Sequence, residues 1–182
     1  VDGGGNAYIT GTTSSTETSF PVVGGPDLTY NGGTYDAFVA KVNAAGTALV
    51  YCGYIGGSND DLGYGIAVDG AGNVYVTGIT LSSETTFPVT VGPDLTFIDV
   101  IDAFVAKVNA AGTALVYCGY IGGSGMDFGY GIAVDGAGNA YVTGYADSSG
   151  TTFPVTVGPD LTYNAGRDAF VAKVNAAGTS LS

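Results

Sequence analysis

The sequence predicts an all-β protein made of tandem repeats, and three observations lead to this prediction. The string DAFVAKVNAAGT begins at Asp36, again at Asp102 and again at Asp168, so one unit recurs every 66 residues. Within that unit, Val, Ile, Tyr and Phe dominate short segments that alternate or run apolar between turn residues, as half-buried strands require. No stretch carries the i, i+3, i+4, i+7 apolar stripe with caps that marks a helix.

Each full repeat contains four predicted strands, a to d. In the best-defined copy they are a at 64–68, b at 73–77, c at 103–108 and d at 114–121. The chain holds about 2.75 copies, with repeat 1 at 1–67, repeat 2 at 68–133 and repeat 3 at 134–182. Counted as strands, repeat 1 lacks strand a, and repeat 3 ends before strand d. Because Val1 lies in mid-repeat and is not a Met, we expect a mature product or a piece of a longer protein.

The connections between these strands indicate one architecture. Asp69-Gly-Ala-Gly72 joins strands a and b, and Asn109-Ala-Ala-Gly112 joins c and d, which predicts tight hairpins. The b–c connection is about 24 residues long, and we expect Phe87 and Val89 within it to pack onto the sheet. A four-stranded antiparallel unit repeated in tandem is typical of a β-propeller blade. A β-solenoid is the main alternative, but its rungs lack a tight hairpin at every corner.

The repeat resembles a known family. GYIGGSGMDFGYGIAVDGAGNAYVTGYADSSGTTFPVT, followed by DAFVAKVNAAG, closely resembles the SBBP, or bacterial beta-propeller repeat, and the likeness covers essentially the whole chain. The resemblance implies a propeller-like fold in large secreted or surface-attached proteins of bacteria and archaea. It implies no enzymatic activity and brings no catalytic residues. The family usually forms longer arrays, whereas a propeller needs at least about four blades to close.

The composition excludes several classes of partner. Four basic and sixteen acidic side chains give a net charge of -12, which repels nucleic-acid phosphates and anionic membrane surfaces. The sequence contains no run of 18 apolar residues, so it predicts no membrane span. A surface rich in Gly, Ser, Thr, Tyr and Asp is common on secreted β-proteins, so we expect an extracellular or cell-surface location. Cys52 and Cys118 are repeat equivalents, and we expect each to be a small buried hydrophobe rather than half of a mutual disulfide, a bond between molecules being the alternative.

The glycine turns offer the only candidate metal ligands. Asp69 and Asn73, and likewise Asp135 and Asn139, place two oxygen-bearing side chains around one turn, as does the segment 2–6. A Ca²⁺ ion takes six to eight oxygens, so one turn supplies too few. We therefore favour an Asx-type turn over a calcium site, and we expect neither a metal nor another cofactor.

No catalytic site is predicted. The chain has no His to serve as a base for a Ser or Cys nucleophile, and almost every polar residue occurs two or three times. Asp61 and Asp127 recur in the d–a loop, where we interpret them as solvated charges rather than a glycosidase pair. Asp36, its equivalents and the lysines five residues later fall on opposite faces of strand c. We expect each of these aspartates to make a structural hydrogen bond to a neighbouring repeat.

The copies differ most near the end of the b–c connection. Copy 2 has an apolar cluster where the others have a polar turn, which indicates either local packing or a contact surface formed by Phe97, Ile98, Val100 and Ile101. We expect a non-enzymatic structural or adhesive protein that self-associates head to tail through its edge strands, as a fibre or a ring. The alternative is a module that binds glycans or surface proteins through the b–c tyrosines and belongs to a longer surface protein.

Overall fold

The computed structural model describes residues 1–182 and contains ten β-strands and no helix. The strands are β1 (Ala7–Thr13), β2 (Asp36–Val42), β3 (Leu49–Ile55), β4 (Asp61–Val68), β5 (Val74–Thr80), β6 (Asp102–Val108), β7 (Leu115–Ile121), β8 (Asp127–Val134), β9 (Ala140–Ala146) and β10 (Asp168–Val174). They form sheet 1 (β1-β2-β3), sheet 2 (β4-β5-β6-β7) and sheet 3 (β8-β9-β10), in which all strand pairs are antiparallel. The all-β, blade-type prediction is confirmed. No helix long and apolar enough to cross a membrane is present.

Tight turns with glycine at positive φ join strand a to strand b and strand c to strand d. In the β4–β5 hairpin, Asp69 N donates to Asn73 O at 3.0 Å, and Gly72 takes a φ of 86°. In the β6–β7 hairpin, the Asn109 side chain accepts from Thr113 N at 2.9 Å. Glycine adopts positive φ without the clash that a Cβ would create, which explains why both turns contain it.

Two equivalent bulges turn a tyrosine out of the innermost strands. The register between β4 and β5 shifts from Gly63 to Gly65, and the register between β8 and β9 shifts in the same way from Gly129 to Gly131. The skipped residues are Tyr64 and Tyr130, which are both exposed. Bulges redirect a side chain in this manner. Their rings lie side by side, with centroids 5.6 Å apart.

The sheets pack face to face in series and do not close into a ring. We name the contact between sheets 1 and 2 junction 1 and the contact between sheets 2 and 3 junction 2. Junction 1 buries an apolar cluster that includes Ala37, Val39, Tyr51, Ile55, Val74, Val76, Phe104, Ala106 and Val108. Junction 2 buries Tyr75, Ala103, Val105, Tyr117, Ile121, Ala140, Val142, Ala172 and Val174. Strands β4 and β8 pack on each other, and β1 packs on β4, at the inner side of the stack.

The long b–c connections cover the outer edge of the sheets. In sheet 2, Cys118 N donates to Val91 O at 2.8 Å, so the connection runs along β7. Phe87 is buried and Val89 packs against the same cluster, as expected from the sequence. In sheet 3 no strand pairs with the free edge of β10 apart from a bridge between Val174 and Leu181. A cavity of about 560 Å³ lies there, between β10 and the connection that contains Val157.

Candidate functional site

The predicted calcium candidates lie in closed hydrogen-bonded turns. Asp69 accepts bonds from Ala71 N, Asn73 N, the Asn73 side chain and Tyr75 Oη at 2.8–3.1 Å. Asp135 and Asn139 repeat this arrangement with Tyr141 Oη, as do Asp2 and Asn6 with Tyr8 Oη. Both carboxylate oxygens of each aspartate therefore already have donors within their own turn.

These hydrogen bonds favour the ionised carboxylates. Side-chain and backbone donation from Asn139 lowers the pKa of Asp135 to about 2. For Asp69, partial burial raises the pKa, but the bonds from Asn73 and Tyr75 lower it overall. The chain contains no cluster of three or more His, Cys, Asp or Glu side chains placed to hold a metal ion. Calcium binding by Asp69, Asn73, Asp135 and Asn139 stays an untested alternative to the Asx turn that this geometry describes.

The interpretation of Asp61 and Asp127 as solvated charges was wrong. Both side chains are fully buried. Asp61 Oδ2 accepts from Gly57 N and from Ser82 Oγ at 3.0 Å, and Asp127 Oδ2 accepts from Gly123 N at 2.8 Å and Ser148 Oγ at 2.6 Å. They begin the inner strands β4 and β8, and the b–c connection of the same sheet closes over the d–a loop, where Ser82 Oγ accepts from Asn59 N and Ser148 Oγ accepts from Gly125 N. Their recurrence at one place, in contrast to the single Asp60, was the sequence signal for a structural role.

The aspartates that begin strand c face these buried residues. Asp36 and Asp102 are also fully or almost fully buried. Each accepts a backbone bond from its own b–c connection, Asp36 from Asn31 N at 2.8 Å and Asp102 from Ile98 N at 3.1 Å. The predicted bond to a neighbouring repeat was therefore wrong, because the nearest amide belongs to the loop that leads into the strand. Asp168 accepts from its own connection in the same way but is only half-buried.

Burial raises the pKa of the junction aspartates. Desolvation is the main cause for each, and it raises the pKa of Asp36 to about 7, of Asp61 to about 6 and of Asp102 to about 7. The charge of Asp61 adds to the effect on Asp36, and the charge of Asp127 adds to the effect on Asp102. Desolvation also raises the pKa of Asp127. Each junction thus contains two carboxyl groups whose pKa lies above the ordinary value of an aspartate.

The basic side chains lie elsewhere, over tyrosine rings. Lys41 Nζ lies 5.0 Å from the centre of the Tyr8 ring, and Lys107 lies 5.0 Å from that of Tyr75. Lys173 lies over Tyr141, and Arg167 lies over Tyr145. Such cation–π contacts hold a cation without a carboxylate. The one salt bridge joins Lys41 to Asp2, with 3.6 Å between the charged atoms.

The apolar segment of copy 2 divides between packing and exposure. The Phe97 ring lies 5.7 Å from that of Tyr120 and packs against the core, and Ile101 forms a bridge with Met126. Ile98 and Val100 are exposed. Local packing thus accounts for two of the four residues, and a contact role for Ile98 and Val100 stays a prediction. The two cysteines are free and buried in equivalent places of sheets 1 and 2.

Comparison with known families supports the prediction that the chain is built from repeats of β-propeller type. Residues 51–83 and 117–150 each match the model of the SBBP family, described as Beta-propeller repeat. Each match begins in the last strand of one sheet and ends just after the second strand of the next, so it spans a junction with its buried Asp61 or Asp127. No curated protein matches the chain significantly. The chain therefore contains two segments that match the SBBP beta-propeller repeat.

Proposed function

We propose that this chain is a non-enzymatic structural or adhesive module of the cell exterior that associates head to tail with further copies of itself. A structural role is supported by the buried aspartates, which recur at both junctions and accept hydrogen bonds from neighbouring loops: Asp36, Asp61, Asp102 and Asp127. The low proportion of charged residues, 11%, and the abundance of Gly, Thr and Tyr suit a packed extracellular assembly.

One observation carries the proposal of self-association. Val39, Val105 and Val171 occupy the same place in strands β2, β6 and β10. The first two are 0% exposed because the next sheet covers them, whereas Val171 is 72% exposed. Ala169 repeats the pattern, since its equivalents Ala37 and Ala103 are buried. Sheet 3 thus presents the face that sheets 1 and 2 bury against their successors, which we call the tail face.

Sheet 1 presents the matching surface, which we call the head face and define by Ala7, Ile9, Phe38 and Val42. Their equivalents in sheet 2, namely Val74, Val76, Phe104 and Val108, are all buried in junction 1. Ile9 is 44% exposed, whereas Val76 is 0% exposed. The tail face of one copy placed on the head face of another would therefore repeat a contact that the chain makes twice internally. Such a heterologous contact gives a ring or a fibre, and we favour the fibre.

Stacking of faces is the expected mode of contact, because hydrogen-bonded strand pairing within the chain joins strands only inside each sheet. The edge strands β1 and β10 could add main-chain hydrogen bonds to a second copy, as expected from the sequence. The exposed Ile98 and Val100 could contribute apolar contact. Stacking alone, however, already accounts for the burial pattern of the three valines.

The test is the size of the purified 182-residue protein in solution. We expect light scattering to show a mass that grows with concentration in the micromolar range, and electron microscopy to show rings or filaments. Val171→Lys places a charge on the tail face and should abolish assembly. Val116→Lys is the matched control, because Val116 is exposed but lies outside both junction clusters. A wild-type protein that stays monomeric, or a Val171→Lys variant that still assembles, refutes the proposal.

A glycan-binding module is the second candidate, and the exposed tyrosine pair supports it. Tyr64 and Tyr130 lie side by side, and Tyr130 continues into a cluster with Phe128 and Tyr145. Exposed tyrosines present an apolar ring and a hydroxyl together, which suits a sugar face. Glycan-array binding that is lost in Tyr130→Ala would favour this function, whereas an array without signal would remove it.

A further inference from the structure

The junction aspartates hold buried oxygen atoms that no neighbour satisfies. Four of the six buried side-chain polar atoms without a hydrogen-bond partner are the Oδ1 atoms of Asp36, Asp61, Asp102 and Asp127. In each residue the other oxygen accepts from backbone amides or a serine, so the side chain is fixed while Oδ1 is free. Buried polar groups are nearly always paired, and an unpaired one requires an explanation.

These aspartates form one pair per junction. A side-chain Cβ at Gly56 would lie 2.5 Å from Asp36 Oδ1 and 3.1 Å from Asp61 Oδ2, so the unpaired oxygen of Asp36 and the carboxyl group of Asp61 lie against the same glycine. Gly122 lies in the same way beside Asp102 Oδ1 in junction 2, and Asp127 is near enough for its charge to raise the pKa of Asp102. The pair joins the first residue of strand c in one sheet to the first residue of strand a in the next.

No basic group compensates the two negative charges of a pair. All four basic side chains of the chain lie over tyrosine rings at other places. The titratable groups that interact with the pairs are acids, phenols and a thiol: Asp27, Asp60, Tyr30, Tyr54 and Cys118 at junction 1, Asp94 and Asp99 at junction 2, and Tyr120 at both. Burying an ionised carboxylate without a partner costs so much that the group takes up a proton or binds a cation instead.

The number of free oxygens decides between a proton and a cation. Each junction offers two unpaired carboxylate oxygens, whereas Ca²⁺ takes six to eight oxygen ligands. One proton, in contrast, converts one carboxylate into a donor and leaves the other as its acceptor. We propose that the folded protein holds a proton on each aspartate pair, Asp36–Asp61 and Asp102–Asp127, and that this proton locks neighbouring blades together. The inference concerns the internal junctions and does not depend on association between copies.

The third copy supplies an internal comparison. Asp168 has the same position in β10 and the same backbone donor, Asn164 N at 2.7 Å, but no following sheet covers it. Its side chain is half-buried, and none of its oxygens is buried without a partner. The unpaired oxygens thus arise only where two sheets meet.

The lock gives stability a defined pH dependence. Below about pH 4 the folded and unfolded states both hold the protons. Between about pH 4 and the raised folded pKa values, about 6 for Asp61 and about 7 for Asp36 and Asp102, the folded state binds more protons than the unfolded state. Stability therefore falls as pH rises through this window and then levels off. The exposed turn aspartates act in the opposite sense, but only at lower pH.

The experiment compares wild type with Asp36→Asn/Asp102→Asn, in which each pair gains a permanent amide donor. Urea denaturation of wild type should show the unfolding equilibrium constant rising at least about tenfold per junction between pH 5 and pH 7.5. The double variant should lose most of this rise, and the control Asp168→Asn should keep it. Infrared difference spectra should show the carbonyl band of a protonated carboxylic acid in wild type at pH 6, and this band should be absent from the double variant.

Two results would overturn the proposal. One is a wild-type stability that is flat or increases between pH 5 and pH 7.5, with no carboxylic acid band. The other is a saturable rise in melting temperature with Ca²⁺ or Mg²⁺ at pH 7.5 that disappears in the double variant, since this would place a cation on the pair. If the double variant does not fold, the infrared band and the cation titration of wild type decide the matter alone.

Discussion

Each b–c connection contributes one phenylalanine to its sheet, and replacing this residue by alanine should lower the free energy of unfolding by different amounts in the three sheets. Phe87 is buried, and its ring lies 5.4 Å from Phe104 and 5.6 Å from Tyr120. Phe87→Ala removes both aromatic contacts and leaves a cavity, so we expect a loss of about 3–5 kcal/mol in the free energy of unfolding. The equivalent Phe153 is only partly buried, and its one aromatic contact is with Phe170, at 5.1 Å, because no fourth strand supplies a tyrosine in sheet 3. We expect Phe153→Ala to cost about 1–2 kcal/mol.

The assay is urea denaturation of dilute protein followed by far-UV circular dichroism. A domain of this kind is stable by about 5–15 kcal/mol, so the loss at Phe87 would be a large fraction of the total. Phe20→Ala is the control for position, since Phe20 lies in a terminal sheet yet keeps both aromatic partners, Phe38 and Tyr54. Its cost should exceed that of Phe153→Ala. Equal costs at Phe20 and Phe153 would refute the argument from contacts and point to fraying of the chain ends.

Three further predictions follow from single sites. Gly112→Ala should lower the free energy of unfolding by more than about 2 kcal/mol, because a methyl group at a φ of 81° would overlap the Tyr51 ring. Gly46→Ala, which has open space around it, should cost only about 1 kcal/mol. Similar melting temperatures for the two variants would contradict this prediction. Neither cysteine should react with a thiol reagent at pH 8 until urea is added, because burial raises the pKa of Cys52 to about 11 and that of Cys118 further; fast labelling of native protein would count against their burial. Asp69→Ala should cost about 1 kcal/mol by removing the acceptor of the turn, and unchanged denaturation would show that Asn73 and Tyr75 hold the turn without it.

The sequence was informative wherever a feature depended on local pattern. The 66-residue period, the Asp-Gly hairpins and the alternation in strands such as β5 predicted the strands, their order and the blade type. The Asx-type turn at Asp69 was also predictable, because it involves residues within one turn. These features need no knowledge of which sheet follows which in space.

The burial of the junction aspartates could not be predicted in the same way. Asp61 follows Asp60 in a loop rich in Gly, Ser and Asn, which is typical of a solvated segment. Its burial depends on the b–c connection of its own sheet, which contacts it through Ser82, 21 residues away in sequence. The difference between Val39 and Val171 likewise comes from neighbours in space, since their local sequences are identical.

The segments that match the family repeat do not begin and end where the sheets begin and end, which determines what a duplicated repeat adds to the protein. A match such as 51–83 contains the last strand of one sheet and the first two of the next. Duplicating a stretch of 66 residues therefore adds one complete sheet together with one complete junction, and it leaves both end surfaces unchanged. In such a linear array each new unit contributes the same intrinsic and nearest-neighbour free energy. Variants with added copies should gain stability in nearly equal steps, each accompanied by one more titrating carboxyl pair.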